Sequence, residues 1–159
     1  MPSPPLIDVT TIDTENPLYD IEAIRAHNRQ RHEMEMLSGI ALLDTEKQLI
    51  VGYKELSEDD FWVRGHIPGR PVLPGVMQIE AAAQLTSYYY MDSIGNPPDV
   101  FIGFMGVTDV KFRGFVLPTD TLVIAAEAKE IRNRRCKFYC QCFVGEKMVF
   151  EGTILGAPM

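Results

Sequence analysis

His66 and Glu80 are the residues whose types and spacing point most directly to chemistry. They stand in the run Gly65-His66-Ile67-Pro68-Gly69-Arg70-Pro71-Val72-Leu73-Pro74-Gly75-Val76-Met77-Gln78-Ile79-Glu80-Ala81-Ala82-Ala83-Gln84. The histidine sits on a loop stiffened by three prolines, and that loop runs into an apolar stretch of helical character. Glu80 is the one carboxylate there, with Val76, Met77, Ile79 and three alanines around it. An ionised carboxylate in apolar surroundings is costly, so it must be paired, exposed or kept protonated. A neutral imidazole is available as a base near pH 7. A loop histidine as base and a protonated glutamate as acid make a matched proton-transfer pair.

Two neighbours extend this reading. Gln84 lies one helical turn beyond Glu80 on the same face, where its amide can hold the carboxyl; a polar residue at a helix edge fits the same position. Gly75 stands where the helix begins. Its free N–H and the positive end of the helix dipole suit a polarised carbonyl, and glycine permits close approach. Helix-start geometry alone would also call for glycine there.

The elements that must hold these residues follow from pattern. Residues 1–18 are rich in proline, threonine and acid, and read as an extended arm or poorly ordered tail. Residues 19–159 read as a single domain. Asp20 to about Arg31 reads as a short helix capped by Asn16 or Asp20. Ile40 to Leu43 and Gln48 to Leu56 flank the turn-like Asp44-Thr45-Glu46-Lys47 as a hairpin. The helix bearing Glu80 is expected from Pro74 or Gly75 to about Asp92, apolar almost all round through its first turns and so buried. Phe101 to Val110, Thr121 to Ile131, Cys136 to Val144 and Lys147 to Leu155 are rich in β-branched and aromatic residues and read as strands. The order is an α+β domain in which an antiparallel sheet wraps one long central helix.

Composition narrows the function classes. The 159 residues carry a formal net charge of −7, which argues against general nucleic-acid binding. No apolar run is long enough to span a bilayer, and Met1-Pro2-Ser3-Pro4-Pro5 is not a secretory signal. Cys136, Cys140 and Cys142, an odd count, favour reduced thiols in the cytoplasm. They are expected on one face of a strand, not around a metal. Lys129, Arg132, Arg134, Arg135 and Lys137 form a basic cluster in this acidic chain. His27, His32 and Trp62 suit surface or interface roles better than catalysis.

The pattern His-x-Pro-Gly-x-Pro-x-x-Pro-Gly-x-x-x-x-Glu-x-x-x-Gln resembles the signature of the 3-hydroxyacyl-(acyl-carrier-protein) dehydratases of bacterial fatty-acid synthesis, in the FabZ form that carries glutamate. Val110-Lys111-Phe112-Arg113-Gly114-Phe115-Val116-Leu117-Pro118-Thr119-Asp120 resembles that family's K-F-R-x-x-V-x-P-G-D strand and turn, with Thr119 in the place of glycine. The family's proline-rich entry to the first strand and its Asp-Arg pair are missing from Arg31 to Ile40. The resemblance implies a hotdog fold from about Asp20 to Ala157 and removal of water from a 3-hydroxyacyl thioester without a cofactor. His66 would be the base and Glu80 the acid, with Gln84 and Gly75 in support. Tyr88, Phe101 and Phe104 become candidates for an acyl tunnel, with ordinary core packing as the other reading of each. The acyl carrier protein is the implied partner and is acidic, which makes Arg132, Arg134, Arg135 and Lys137 a candidate docking surface. Arg64, Arg70, Lys111 and Arg113 are further candidates near the loop. A homodimer is implied, with the His and Glu of one site on opposite subunits, and a trimer of dimers is a further option. A hotdog acyl thioesterase and a non-catalytic acyl-binding hotdog module are the alternatives; the His66 loop favours dehydration over the first, and the intact His-Glu pair argues against the second.

Overall fold

The computed structural model describes residues 1–159. Its elements are α1 (Ile21–His27), β1 (Gly39–Asp44), β2 (Leu49–Glu55), α2 (Gly75–Ser93), β3 (Ile102–Phe112), β4 (Thr121–Arg132), β5 (Arg135–Val144) and β6 (Lys147–Pro158), with short 3-10 turns at Val9–Thr11 and His32–Met34. The strands form one six-stranded antiparallel sheet in the order β1-β2-β4-β5-β6-β3. Helix α2 lies in the concave side of that sheet and touches five of its strands.

Period-two alternation divides the sheet's residues between two faces. On β5, Cys136, Phe138, Cys140 and Cys142 point inward at α2, while Phe143 belongs to a second cluster on the outer face. Ile50 and Val51 of β2, and Ile124 and Val123 of β4, divide the same way. The inner cluster is the main core, closed by Ala81, Ala82, Leu85, Tyr89 and Tyr90 of α2. The three cysteines are free and buried, and burial pushes all three thiols up. Trp62 is also a core residue, only 3% exposed, which corrects its assignment to the surface.

Helix α1 is shorter than its sequence suggested. The Asp20 side chain caps it by accepting the Ala23 N–H, while Asn16 turns back on Asp13. It stops at His27 because Asn28 is extended and buried, its Nδ2 donating to the Gln84 carbonyl oxygen of α2 at 2.9 Å.

The amino-terminal arm lies against the sheet. Leu6, Ile7, Val9 and Ile12 pack on the outer cluster of Val51, Tyr53, Val123, Ala125 and Phe143. Gln141 of β5, fully buried, accepts the Leu6 N–H through Oε1 at 2.8 Å and donates through Nε2 to the Pro4 carbonyl oxygen at 2.9 Å. No helix is long and apolar enough to cross a membrane.

Candidate active site

The loop from Trp62 to Pro74 holds His66 by its own backbone. The His66 N–H donates to the Trp62 carbonyl oxygen, and the Val72 N–H donates to that of His66, both at 2.8 Å. The ring's Nδ1 lies 2.7 Å from the Val72 carbonyl oxygen. A carbonyl can only accept, so Nδ1 carries a proton and Nε2 is the nitrogen that holds the lone pair whenever the ring is neutral. His66 opens on a cavity of about 710 Å³ together with Gly75, Gln78, Phe112, Arg113 and Lys147.

Gly75 begins α2 in that cavity, and its N–H has no backbone acceptor and no side-chain cap. Its identity has a steric cause. A Cβ there would meet the Phe112 ring at 2.9 Å.

Glu80 sits five residues further along α2, half-buried, on a separate small pocket of about 50 Å³ shared with Gln30, Gln84, Phe104 and Leu155. Gln84 orients it. The Gln84 Oε1 accepts the Met36 N–H at 2.9 Å, which turns Nε2 towards the other two partners. Nε2 donates to the Met34 carbonyl oxygen at 2.7 Å and to the Glu80 Oε1 at 2.8 Å. The segment that lacks the family's proline-rich entry thus supplies the backbone groups that fix Gln84. Only one oxygen of Glu80 receives a donor, so the other remains available to bear or release a proton.

The structure therefore gathers His66 with Gly75 and Glu80 with Gln84, and places the two pairs on different cavities of one chain. Phe104 lines the Glu80 pocket. Phe101 lines neither cavity; its backbone pairs with Met159 beside β3. Tyr88 lines neither cavity and takes the core-packing reading. It faces α1, its ring 4.2 Å from that of His27 and 5.9 Å from that of Tyr19, because α2 is apolar on every side and α1 covers this one. His27 also bonds Asp92 across the helices at 3.3 Å.

The basic cluster occupies the β4–β5 hairpin. Arg132 and Arg135 both pair with Glu130, at 2.6 and 2.7 Å, and Lys129 pairs with Glu127, which leaves Arg134 and Lys137 without ion pairs. Lys137 and Cys136 lie opposite Leu155 and Gly156, which line the Glu80 pocket. The hairpin therefore flanks Glu80, not His66.

Residues not singled out in the sequence also bear on the site. Gln78 lines the His66 cavity and Gln30 the Glu80 pocket, and each has a buried Oε1 with no hydrogen-bond partner. A buried, unpaired amide oxygen costs roughly 1–3 kcal/mol. Both glutamines look like ordinary polar residues in the sequence. Only the folded walls show their amide oxygens buried.

One sheet wrapped round one helix, with a histidine loop at the helix start and a carboxylate inside it, defines a hotdog-fold protein. Among solved structures, the dehydratase heterocomplex ApeI:P from Xenorhabdus doucetiae superimposes with a TM-score of 0.70 at 14% identity, over 84% of this chain and 89% of that one. A mutant of the fluoroacetyl-CoA-specific thioesterase FlK gives 0.62 at 12% identity, over 71% of this chain and 86% of that one. These likenesses establish the fold. The FabA-like domain model matches residues 28–153, and the chain belongs to that family, among its FabZ-type dehydratases. The FabZ 3-hydroxyacyl-(acyl-carrier-protein) dehydratase of Novosphingobium aromaticivorans is 34% identical over 134 residues, 84% of each chain. The bifunctional LpxC/FabZ enzyme of Chlorobaculum tepidum is 31% identical over 142 residues, 89% of this chain, which spans only 30% of that enzyme's length.

Proposed function

We propose that this protein dehydrates 3-hydroxyacyl thioesters borne on acyl carrier protein to trans-2-enoyl thioesters, at sites built by two copies of the chain. The supporting observation is where the two cavities sit. Strand β3 is an edge of the sheet. Its first residues, Ile102 to Phe104, line the Glu80 pocket, and its end, at Phe112, lines the His66 cavity. Antiparallel pairing of β3 with its own copy puts the beginning of one strand against the end of the other. Glu80 of one subunit then comes to His66 of the next. The same pairing covers Phe104, Met105 and Phe112, all about half exposed in one chain, and satisfies an open edge.

The chemistry follows from the two side chains. His66 Nε2 takes the C2 proton, and the C–H electron pair becomes the C2–C3 double bond. The C3–O bond breaks as protonated Glu80 delivers its proton to the departing hydroxyl, which leaves as water. Charge developing on the thioester carbonyl is met by the Gly75 N–H at the positive end of α2. Each positioned acid or base contributes roughly 10²–10⁴-fold. Water leaves and no electrons are transferred, so the step calls for no cofactor. The β4–β5 hairpin, with Arg134 and Lys137 unpaired, is the proposed seat of the acidic carrier protein, and a cytoplasmic location fits the free thiols.

The test is incubation with a 3-hydroxyacyl carrier protein, followed by the absorbance of the enoyl thioester, with the His66→Ala variant alongside. Enoyl product from the wild type alone is the expected result. Free carrier thiol without enoyl product would assign the site to thioester hydrolysis instead.

A further inference from the structure

The His66 cavity holds two cations and no carboxylate. Arg113 and Lys147 lie in its wall, in a chain whose net charge is −7. Gly114 makes room for the lysine: a Cβ there would meet the Lys147 Cε at 3.0 Å and Nζ at 3.1 Å. The Lys147 ammonium has no hydrogen-bonding or ion-pair partner, and Arg70 stacks on Phe115 of the same wall at 5.7 Å. Arg113 is held from behind. Its Nε, at 3.1 Å, and its Nη2 both donate to the Glu151 Oε1, while Nη1 carries no hydrogen bond.

Glu151 is itself fixed by the outer face of the sheet. The Tyr139 hydroxyl donates to its Oε2 at 2.6 Å, and Gln141 Nε2 donates to that hydroxyl at 3.0 Å. Gln141 in turn holds Pro4 and Leu6 of the arm. Burial works to raise the Glu151 carboxyl, but hydrogen bonds from Tyr139, Arg113 and Ser3 outweigh it and hold it at about 2. A continuous polar chain therefore runs from the arm to the guanidinium in the cavity wall.

We propose that Arg113 and Lys147 form a phosphate subsite for the phosphopantetheine arm of the substrate, with the amino-terminal arm bracing Arg113 through Gln141, Tyr139 and Glu151. This rests on the dehydratase reading for its choice of ligand. Lys147 is an unpaired cation on that wall, Arg113 has its Nη1 free beside it, and a phosphodiester accepts from a guanidinium and an ammonium together. Tyr139 and Glu151 are positioning residues: Glu151 holds Arg113, Tyr139 holds Glu151, and neither lines the cavity.

Calorimetric titration of the full chain with 4′-phosphopantetheine and with pantetheine tests the subsite without requiring turnover. Tighter binding of the phosphorylated compound is expected. Lys147→Gln, at an exposed position, should weaken that compound alone by about five-fold. Tyr139→Phe should weaken it alone by about two-fold, through a looser Arg113. Equal affinity for the two compounds, equal weakening of both, or binding of neither overturns the subsite. A Lys147→Gln effect confined to carrier-borne substrate also overturns it and assigns the cation to the carrier protein's surface. Phosphate-dependent binding by a wild type that forms no enoyl product would keep the subsite and sink the dehydratase reading.

Discussion

Glu80 and Glu151 are both carboxylates anchored by side-chain donors, and they teach opposite lessons. Glu151 is saturated. Arg113 occupies one oxygen and Tyr139 the other, and the side chain is 4% exposed. Glu80 receives one donor, from Gln84, and lines a pocket. A carboxylate with every lone-pair direction met is locked in its charged form and serves as a girder. One with an oxygen left over can trade a proton. Glu80 is half-buried and Glu151 nearly fully so. In the proposed reaction, the number of donors separates the structural carboxylate from the acid.

The strongest way to break that contrast is Glu80→Gln. It keeps the shape and the Gln84 contact but removes the acid, so enoyl formation should fall by up to about 10⁴-fold while the thermal midpoint stays put. Near-wild-type turnover would end the acid's role. Arg113→Met attacks the other carboxylate. It strands Glu151 in the sheet, and urea unfolding should show a loss of about 3–5 kcal/mol. A loss below about 1 kcal/mol would mean that Glu151 is no girder. The smallest effect sharpens the comparison through pH. The Glu151 carboxyl, held at about 2 against an ordinary 4.5, stabilises the fold fully above the ordinary range, and that stability drains away as pH falls towards 2. Tyr139→Phe removes one donor, so its acid-unfolding midpoint should move to higher pH, with about 1 kcal/mol lost near neutrality. An unmoved midpoint would show that the hydroxyl does not hold the charge.

What was legible in the sequence was local. His66, Gly75, Glu80 and Gln84 lie within one loop and the first three turns of one helix, so spacing alone relates them. Helix α2 and the strands after it also follow from composition and punctuation. The second polar system was not legible, because Tyr139 and Gln141 alternate on β5 like any residues facing solvent. Their cover is a segment more than 130 positions away whose Leu6, Ile7, Val9 and Ile12 follow no periodic pattern. Which of its two readings Tyr88 takes was not legible, for the converse reason. A helix apolar on all sides does not reveal which neighbour takes which face. The β4–β5 hairpin's charge was visible, but its share neutralised by Glu130 depends on strand pairing.

The docking of Leu6 on Gln141 also sets an order of events in time. The two are 135 residues apart. At synthesis rates of about 5–20 residues per second, roughly 7–30 s separate the emergence of the arm from that of its acceptor strand. For most of that interval Leu6, Ile7, Val9 and Ile12 have only the Val51 and Tyr53 part of their outer cluster to cover. On the ribosome, this arm is made long before the strand that holds it.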